Sequence, residues 1–247
     1  MDKTASFRFF GTLNDFLPKA QKEKEIRYSF GGSPAVKDAI EALSVPHPEV
    51  NAILVNAQPV AFNYLLQAED TVEVYSQKHF PEWPHAPKLR AECPEPVAFI
   101  LDVHLGKLAK SLRLLGFDTV YENNYDDQTI AGRAAGENRI VLTRDVGLLK
   151  LKIVQWGYWL RSQNSEKQLA EVLAYYNLLP QLQPFTRCLV CNGPLQNVPK
   201  EAVLGQLPSK TKLHFQEFHQ CQTCRRVFWK GSHYQRMEAF VQQLKMR

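Results

Sequence analysis

The amino-acid sequence predicts an α/β protein: a parallel sheet with flanking helices, preceded by a small strand-rich domain and followed by a cysteine-ligated ribbon. Three observations carry that expectation. Residues 97–185 alternate short apolar runs with amphipathic segments, the rhythm of buried strands joined by helical crossovers. Residues 1–78 instead set several alternating apolar stretches around one helical pattern. Four of the five cysteines fall in two identical pairs, Cys188-x-x-Cys191 and Cys221-x-x-Cys224. With 247 residues and 45% apolar content the chain can bury sizeable cores, which excludes disorder as a description of the whole.

Taken in order, Phe7-Arg8-Phe9 and Ile26-Arg27-Tyr28-Ser29-Phe30 alternate as half-buried strands do, and Val36, Ala39, Ile40 and Leu43 then recur at helical spacing. Ile53-Leu54-Val55, the Asn56-Ala57 turn, Val60 and Thr71-Val72-Glu73-Val74-Tyr75 add further strands. This β-β-α-β-β-β order resembles the β-grasp, or ubiquitin-like, fold over residues 1–78. Sulfur carriers of that group end in a free Gly-Gly, whereas this chain runs on through Ser76-Gln77-Lys78, so an interaction or RNA-contacting role is expected in place of carrier chemistry.

Residues 79–96 hold five of the fifteen prolines, which removes ladder donors and predicts a linker. Phe80 and Trp83 within it are expected to pack on a neighbouring domain, and Cys93 to be a free thiol.

From Val97 the elements alternate. Val97–Leu101 reads as a strand, Leu105–Leu115 as an amphipathic helix stopped by Gly116, and Phe117–Tyr121 as a second strand. Asp127–Ala135 reads as a helix ended by Gly136, Arg139–Thr143 as a third strand and Leu148–Trp156 as a helix. Tyr158–Leu160 is the fourth strand, and Ser165–Tyr176 a helix with Ser165 as its N-cap. Residues 186–247 are left for the ribbon and a last helix opened by Ser232.

Charge is uneven along these parts. Residues 1–96 carry 10 Lys/Arg against 13 Asp/Glu, residues 97–187 carry 11 against 9, and residues 188–247 carry 9 against 3, a net +6. A tail this basic selects polyanions, with nucleic acid ahead of an anionic membrane. No run approaches the roughly 18–20 apolar residues of a membrane span, and Met-Asp-Lys-Thr-Ala-Ser-Phe-Arg lacks the layout of a signal peptide, so a soluble cytoplasmic protein is expected.

In open α/β sheets, ligands gather beyond the carboxyl ends of the strands. Asp102 ends the first strand of the middle region, Asp126 and Asp127 open the helix after the second, and Asp145 follows the third. If those strands are neighbours, the carboxylates converge, and like charges so close call for a cation. Mg²⁺ or Mn²⁺ suits an all-oxygen donor set, and its chemistry there is that of a metal-dependent nuclease. Helix capping explains any one of these acids equally well.

Four thiols in two CxxC units, in a chain expected to stay reduced, read as Cys188, Cys191, Cys221 and Cys224 around one tetrahedral zinc. With every position filled by sulfur the zinc is structural. Lys107, Lys110 and Arg113 on the first middle helix, and Arg225, Arg226, Lys230 and His233 in the ribbon, are candidate substrate-binding residues, with solvated faces as the plain alternative. Phe228, Trp229, Tyr234 and Arg236 complete a basic and aromatic mixture suited to single-stranded bases, one of the first two being expected to fill the ribbon's core.

The stretch from Phe99-Ile100-Leu101-Asp102 to Leu114-Leu115-Gly116-Phe117-Asp118 resembles the opening of the PIN-like ribonuclease domain named after the C-terminus of the Mut-seven exonuclease. Asp126-Asp127 and Leu142-Thr143-Arg144-Asp145 resemble that family's later acidic motifs, and Cys221-x-x-Cys224 with Val227 to His233 its closing zinc-ribbon signature. A ubiquitin-like N-terminal domain is a companion of bacterial members. The resemblance implies a PIN-like fold and a Mg²⁺- or Mn²⁺-dependent ribonuclease, with Asp102, Asp127 and Asp145 as metal-binding acids and Asp126 as a further candidate. Where many PIN nucleases place a fourth acid, this chain reads Leu160-Arg161-Ser162-Gln163-Asn164, which leaves the number of catalytic metals open. Expected partners are RNA, tRNA or another structured RNA included, a protein partner for the ubiquitin-like domain, and a second copy in a homodimer; no membrane is expected. The competing reading is a catalytically inert RNA-binding adaptor that recruits a partner through its ubiquitin-like domain.

Overall fold

The computed structural model describes residues 3–77, 87, 89, 92–245, with no account of the side chain of Lys245. Phe80, Trp83, Pro81 and Pro84 therefore lie outside the described residues. Two compact units are distinguished, residues 1–94 with 131–159, and residues 95–130 with 160–247.

In the first unit, β1 (Lys3–Phe10), β2 (Ile26–Phe30), β3 (Val50–Val55), β4 (Gln58–Pro59) and β5 (Thr71–Ser76) form a mixed sheet in the order β2-β1-β5-β3-β4. β1 is parallel to β5 and antiparallel to β2, while β3 is antiparallel to both β5 and β4. With α1 (Val36–Ala42) this is the β-grasp arrangement that the alternation of apolar residues predicts. Ala5, Phe7 and Phe9 turn one face of β1 inward, where they meet Val36, Ala39 and Ile40 of α1 and Val72 and Val74 of β5 in one core. Period two on the strand and period 3.6 on the helix each supply one apolar face, and burying the two together is what closes the domain.

The same unit contains β8 (Ile140–Thr143), α4 (Val146–Leu149) and β9 (Gly157–Trp159), with β8 parallel to β9. Gly157 leaves room there for Leu149, whose Cδ2 would stand 2.5 Å from a Cβ and would have to shift. The predicted helix over Leu148–Trp156 ends by Leu149. Val154, Trp156 and Tyr158 are buried at alternate positions, so the chain is already extended on its way into β9. Polar groups join this segment to the β-grasp domain. Trp159 donates its backbone N–H to Glu49 Oε1 at 2.7 Å, and Lys150 Nζ donates to Glu41 O at 2.7 Å. His47 lies 2.6 Å from Glu41 Oε1 through Nδ1 and 2.7 Å from Val154 O through Nε2, while the Phe16 and Trp159 rings are 5.0 Å apart.

In the second unit, β6 (Ala98–Leu101) is parallel to β7 (Asp118–Val120), and α2 (Gly106–Leu114) and α5 (Ser165–Tyr175) pack together. Phe99, Ile100 and Leu101 of β6 and Leu108 and Leu112 of α2 are fully buried, as are Leu169 and Val172 of α5 apart from traces. Asn164, one residue before the expected cap, terminates α5, its Oδ1 accepting from the N–H groups of Glu166 and Lys167. α3 (Asp127–Gly136) carries the chain from this unit into the other. A three-stranded antiparallel sheet, β10 (Leu195–Val198), β11 (Phe218–Cys221) and β12 (Val227–Trp229) in that order, forms the ribbon. Between β10 and β11 lie α6 (Lys200–Val203) and α7 (Ser209–His214), and α8 (Ser232–Lys245) follows β12. Val203, Leu207 and Phe218 make the ribbon's small core, with Trp229 packed against it.

Candidate metal centre and the acidic positions

The four paired cysteines come together. One sulfur from each of Cys188, Cys191, Cys221 and Cys224 lies within 4.8 Å of all the others, with Cys188 and Cys224 at 3.7 Å and Cys191 and Cys221 at 3.4 Å. Four sulfurs about 2.3 Å from a tetrahedral zinc stand about 3.8 Å apart, so the quartet has the size of a zinc site.

Backbone geometry builds each half in the same way. Asn192 N–H donates to Cys188 O at 2.9 Å and Arg225 N–H to Cys221 O at 3.0 Å, and both residues adopt left-handed backbone, φ 68° and 61°. Each CxxC is thus a tight knuckle closed one residue past its second cysteine. Gly193 lets the two knuckles approach, because a Cβ there would sit 2.4 Å from Thr223 Oγ1 and 2.9 Å from Cys221 Sγ.

The thiols are not equivalent. Burial pushes Cys188 up from its ordinary value and Cys191 up to about 12. Burial also acts upward on Cys221, but the Cys224 and Thr223 N–H groups and the neighbouring thiols outweigh it and bring Cys221 down to about 7. Only a cation would allow all four to be thiolates together, and a divalent metal that prefers sulfur could supply it.

Side chains from β7 and α2 hold the first knuckle. Asn192 accepts the Thr119 N–H at its Oδ1 (2.9 Å) and donates from Nδ2 to Asp118 Oδ1 (2.8 Å). Arg187 pairs with Asp118 at 3.3 Å and donates to Asn192 O at 3.1 Å. Arg113, grouped with Lys107 and Lys110 in the sequence, is only 5% exposed, while both lysines are exposed. Its Nε donates to Thr119 O at 2.9 Å, and Nη1 donates to Val190 O at 2.8 Å and Leu189 O at 3.3 Å, the two carbonyls between the cysteines of the first knuckle. Burial pulls its pKa down, against the opposing pull of Glu122, Cys188, Cys191 and Asp118. The guanidinium therefore holds the backbone of the first cysteine knuckle, a supporting role distinct from the phosphate contact expected from the sequence. Asn192 and Asp118 were not singled out as functional; an Asn-Gly pair directly after CxxC was the available signal, since Asn tolerates left-handed backbone.

The acids stand at strand and helix ends. Asp102 follows β6 and is half-buried, and Asp126 and Asp127 are exposed at the start of α3. Asp126 Oδ1 accepts the Thr129 N–H at 2.7 Å, and bonding to Thr129 holds its carboxyl below the usual range. Asp145, exposed after β8, is the N-cap of α4: its Oδ1 accepts the Gly147 N–H at 2.6 Å and its own N–H donates to Thr143 Oγ1 at 2.8 Å. Asp102, Asp126 and Asp127 belong to the second unit and Asp145 to the first. Arg225, Arg226, Lys230 and His233 are exposed, with Lys230 paired to Glu217, which raises the Lys230 pKa. Cys93 is partly exposed and not in a disulfide.

A family model described as Mut7-C RNAse domain matches residues 97–241, and one described as Mut7-C ubiquitin matches residues 2–80. The chain belongs to the Mut7-C RNAse family. No curated protein matches it. Membership in the Mut7-C family points to a nuclease-like role, and the β-grasp sheet at the N-terminus is the family's ubiquitin domain. No helix among the described residues is long and apolar enough to cross a membrane.

Proposed function

We propose that this protein is a metal-dependent ribonuclease whose catalytic carboxylates are Asp102, Asp126, Asp127 and Asp145. The observation that carries the reading is the match of residues 97–241 to the Mut7-C RNAse domain, joined to acids at the ends of β6 and β8 and the start of α3. All four are at least partly open to solvent and offer hard oxygen donors, which suits Mg²⁺ or Mn²⁺. Such an ion, when bound, would polarise a water and neutralise charge on a phosphodiester. The chain's own part is to hold the carboxylates in place: backbone amides fix Asp126 and Asp145 at helix starts, and the buried apolar run of β6 fixes Asp102. Lys107 and Lys110, exposed on α2, are proposed to take substrate phosphates, with Arg225, Arg226, Lys230 and His233 doing so on the ribbon. The four cysteines hold a structural zinc, since no ligand position is left for substrate. RNA is the proposed partner, in the cytoplasm.

One observation favours the inert adaptor as a second reading. Asp126 and Asp145 each serve as helix caps, a sufficient structural reason for both residues. Incubating the protein with end-labelled RNA in Mn²⁺, Mg²⁺ or EDTA separates the two. Metal-dependent cleavage lost in Asp102→Asn supports the nuclease, and RNA binding without cleavage by either protein supports the adaptor.

A further inference from the structure

A cavity of about 410 Å³ opens beside the ribbon, lined by none of the four cysteines, and Phe185, Phe228, Trp229 and Tyr234 bring four aromatic rings to its walls. The register of the sheet explains why. His219 pairs with Phe228 across β11 and β12, and Phe218 with Trp229, so alternate residues face opposite sides. Phe218 goes to the ribbon's core with Trp229 packed partly against it, while Phe228 and His219 take the other face; Phe228, His219 and the open part of Trp229 all line the cavity. Phe185 and Tyr234 line the same cavity, their rings 4.4 Å apart at 31°. Phe185 has φ 63°, a conformation costly for a bulky side chain, and its N–H is tied to Leu114 O at 2.9 Å. Lys230 extends over the Tyr234 ring at 5.9 Å.

We infer that this cavity receives one unpaired nucleobase of single-stranded RNA, stacked against Phe228 and Tyr234. The inference rests on the RNA-cleaving reading and extends it by naming a base-binding subsite. Two observations favour a base over an apolar side chain as occupant. The cavity lies in the most basic part of the chain, net +6 over residues 188–247, so a polyanionic strand is drawn to its mouth. Its wall combines aromatic faces with the His219 imidazole and the Thr186 hydroxyl; the latter donates to Gln183 O at 2.7 Å and keeps its lone pairs to accept from a base's polar edge. Stacking of this kind tolerates any base, so the subsite grips unpaired nucleotides with little sequence preference.

The test uses the zinc-loaded full chain without Mg²⁺ or Mn²⁺, and a fluorescent single-stranded oligoribonucleotide beside one of equal length made abasic throughout. The expected result is that the wild type binds the natural strand about 5- to 100-fold more tightly than the abasic one. Phe228→Leu and Tyr234→Leu, checked for zinc content, should lose that preference while keeping their affinity for the abasic strand. Equal binding of both strands by the wild type overturns the subsite while RNA binding stands, and this comparison needs no variant to fold. An unchanged preference in zinc-loaded variants overturns it as well. Failure to bind either strand removes the RNA reading itself and the subsite with it.

Discussion

The cysteine quartet and the acidic positions are both collections of metal-type ligands, yet the chain treats them differently. Around the cysteines the side chains do nothing else: two knuckles close on their own amides, and Arg113, Asn192 and Asp118 are committed to holding one of them. The acids share their labour, because Asp126 and Asp145 also satisfy the open N–H groups of helix starts. A ligand with one task makes a centre whose loss unfolds its surroundings. A ligand with two tasks allows substitutions that keep the cap and remove the charge.

The largest effect should follow Cys221→Ser, or removal of zinc by a chelator. Structural zinc in small domains contributes about 10–16 kcal/mol of binding free energy, so the three-stranded ribbon should lose its fold and the zinc content should fall well below one per chain. Metal analysis and amide exchange over residues 186–247 read this directly; a ribbon still protected without zinc would end the distinction.

Next is Arg113→Met, which keeps the apolar stem and removes three hydrogen bonds to carbonyls. Leaving those buried acceptors unpaired should cost about 2–4 kcal/mol and weaken zinc binding about 10- to 100-fold. Lys110→Met, from the exposed face of the same helix, should change stability by less than about 0.5 kcal/mol. Competition with a zinc chelator and denaturant titration compare the two.

On the acidic side, Asp145→Ala should destabilise the protein by about 1 kcal/mol, while Asp145→Asn, also a good N-cap, should stay within about 0.5 kcal/mol. Both should abolish metal-dependent cleavage. If Asn keeps full activity, the residue is a cap and no more.

The smallest effect is a pH dependence. The folded-state pKa of Asp126 lies below its unfolded value, so its capping contribution is fully present above about pH 3.9 and is lost as pH falls through the depressed folded value. Exchange of the Thr129 amide should accelerate there in the wild type and stay level in Asp126→Asn.

What the sequence made legible follows the same division. Cysteine pairs have few competing uses, and the alternation of Phe7 and Phe9 or Val72 and Val74 has one reading, so the meeting of the four cysteines and the β-grasp sheet could be read directly. Arg113 was harder because a cation three positions after Lys110 and six after Lys107 suggests a shared face. At 100° per residue, however, it lies four positions after Ala109, on the buried side with Leu112. The stretch after Leu149 offered apolar residues that satisfy a helical pattern as well as the extended one, and packing of Val154, Trp156 and Tyr158 decides for the latter. The join between the β-grasp domain and residues 131–159 rests on His47, Glu41 and Glu49, ordinary polar residues whose partners are about a hundred positions away, and no local pattern encodes such pairings.

The most direct test of the central claim is cleavage of end-labelled structured and single-stranded RNA in Mn²⁺, Mg²⁺ or EDTA, by the wild type and by Asp102→Asn/Asp145→Asn at equal zinc content. The account predicts that the wild type cuts only with a divalent ion and that the double variant binds RNA as well but does not cut. Cleavage that persists in the double variant, or a wild type that binds RNA and never cuts it, would contradict the account.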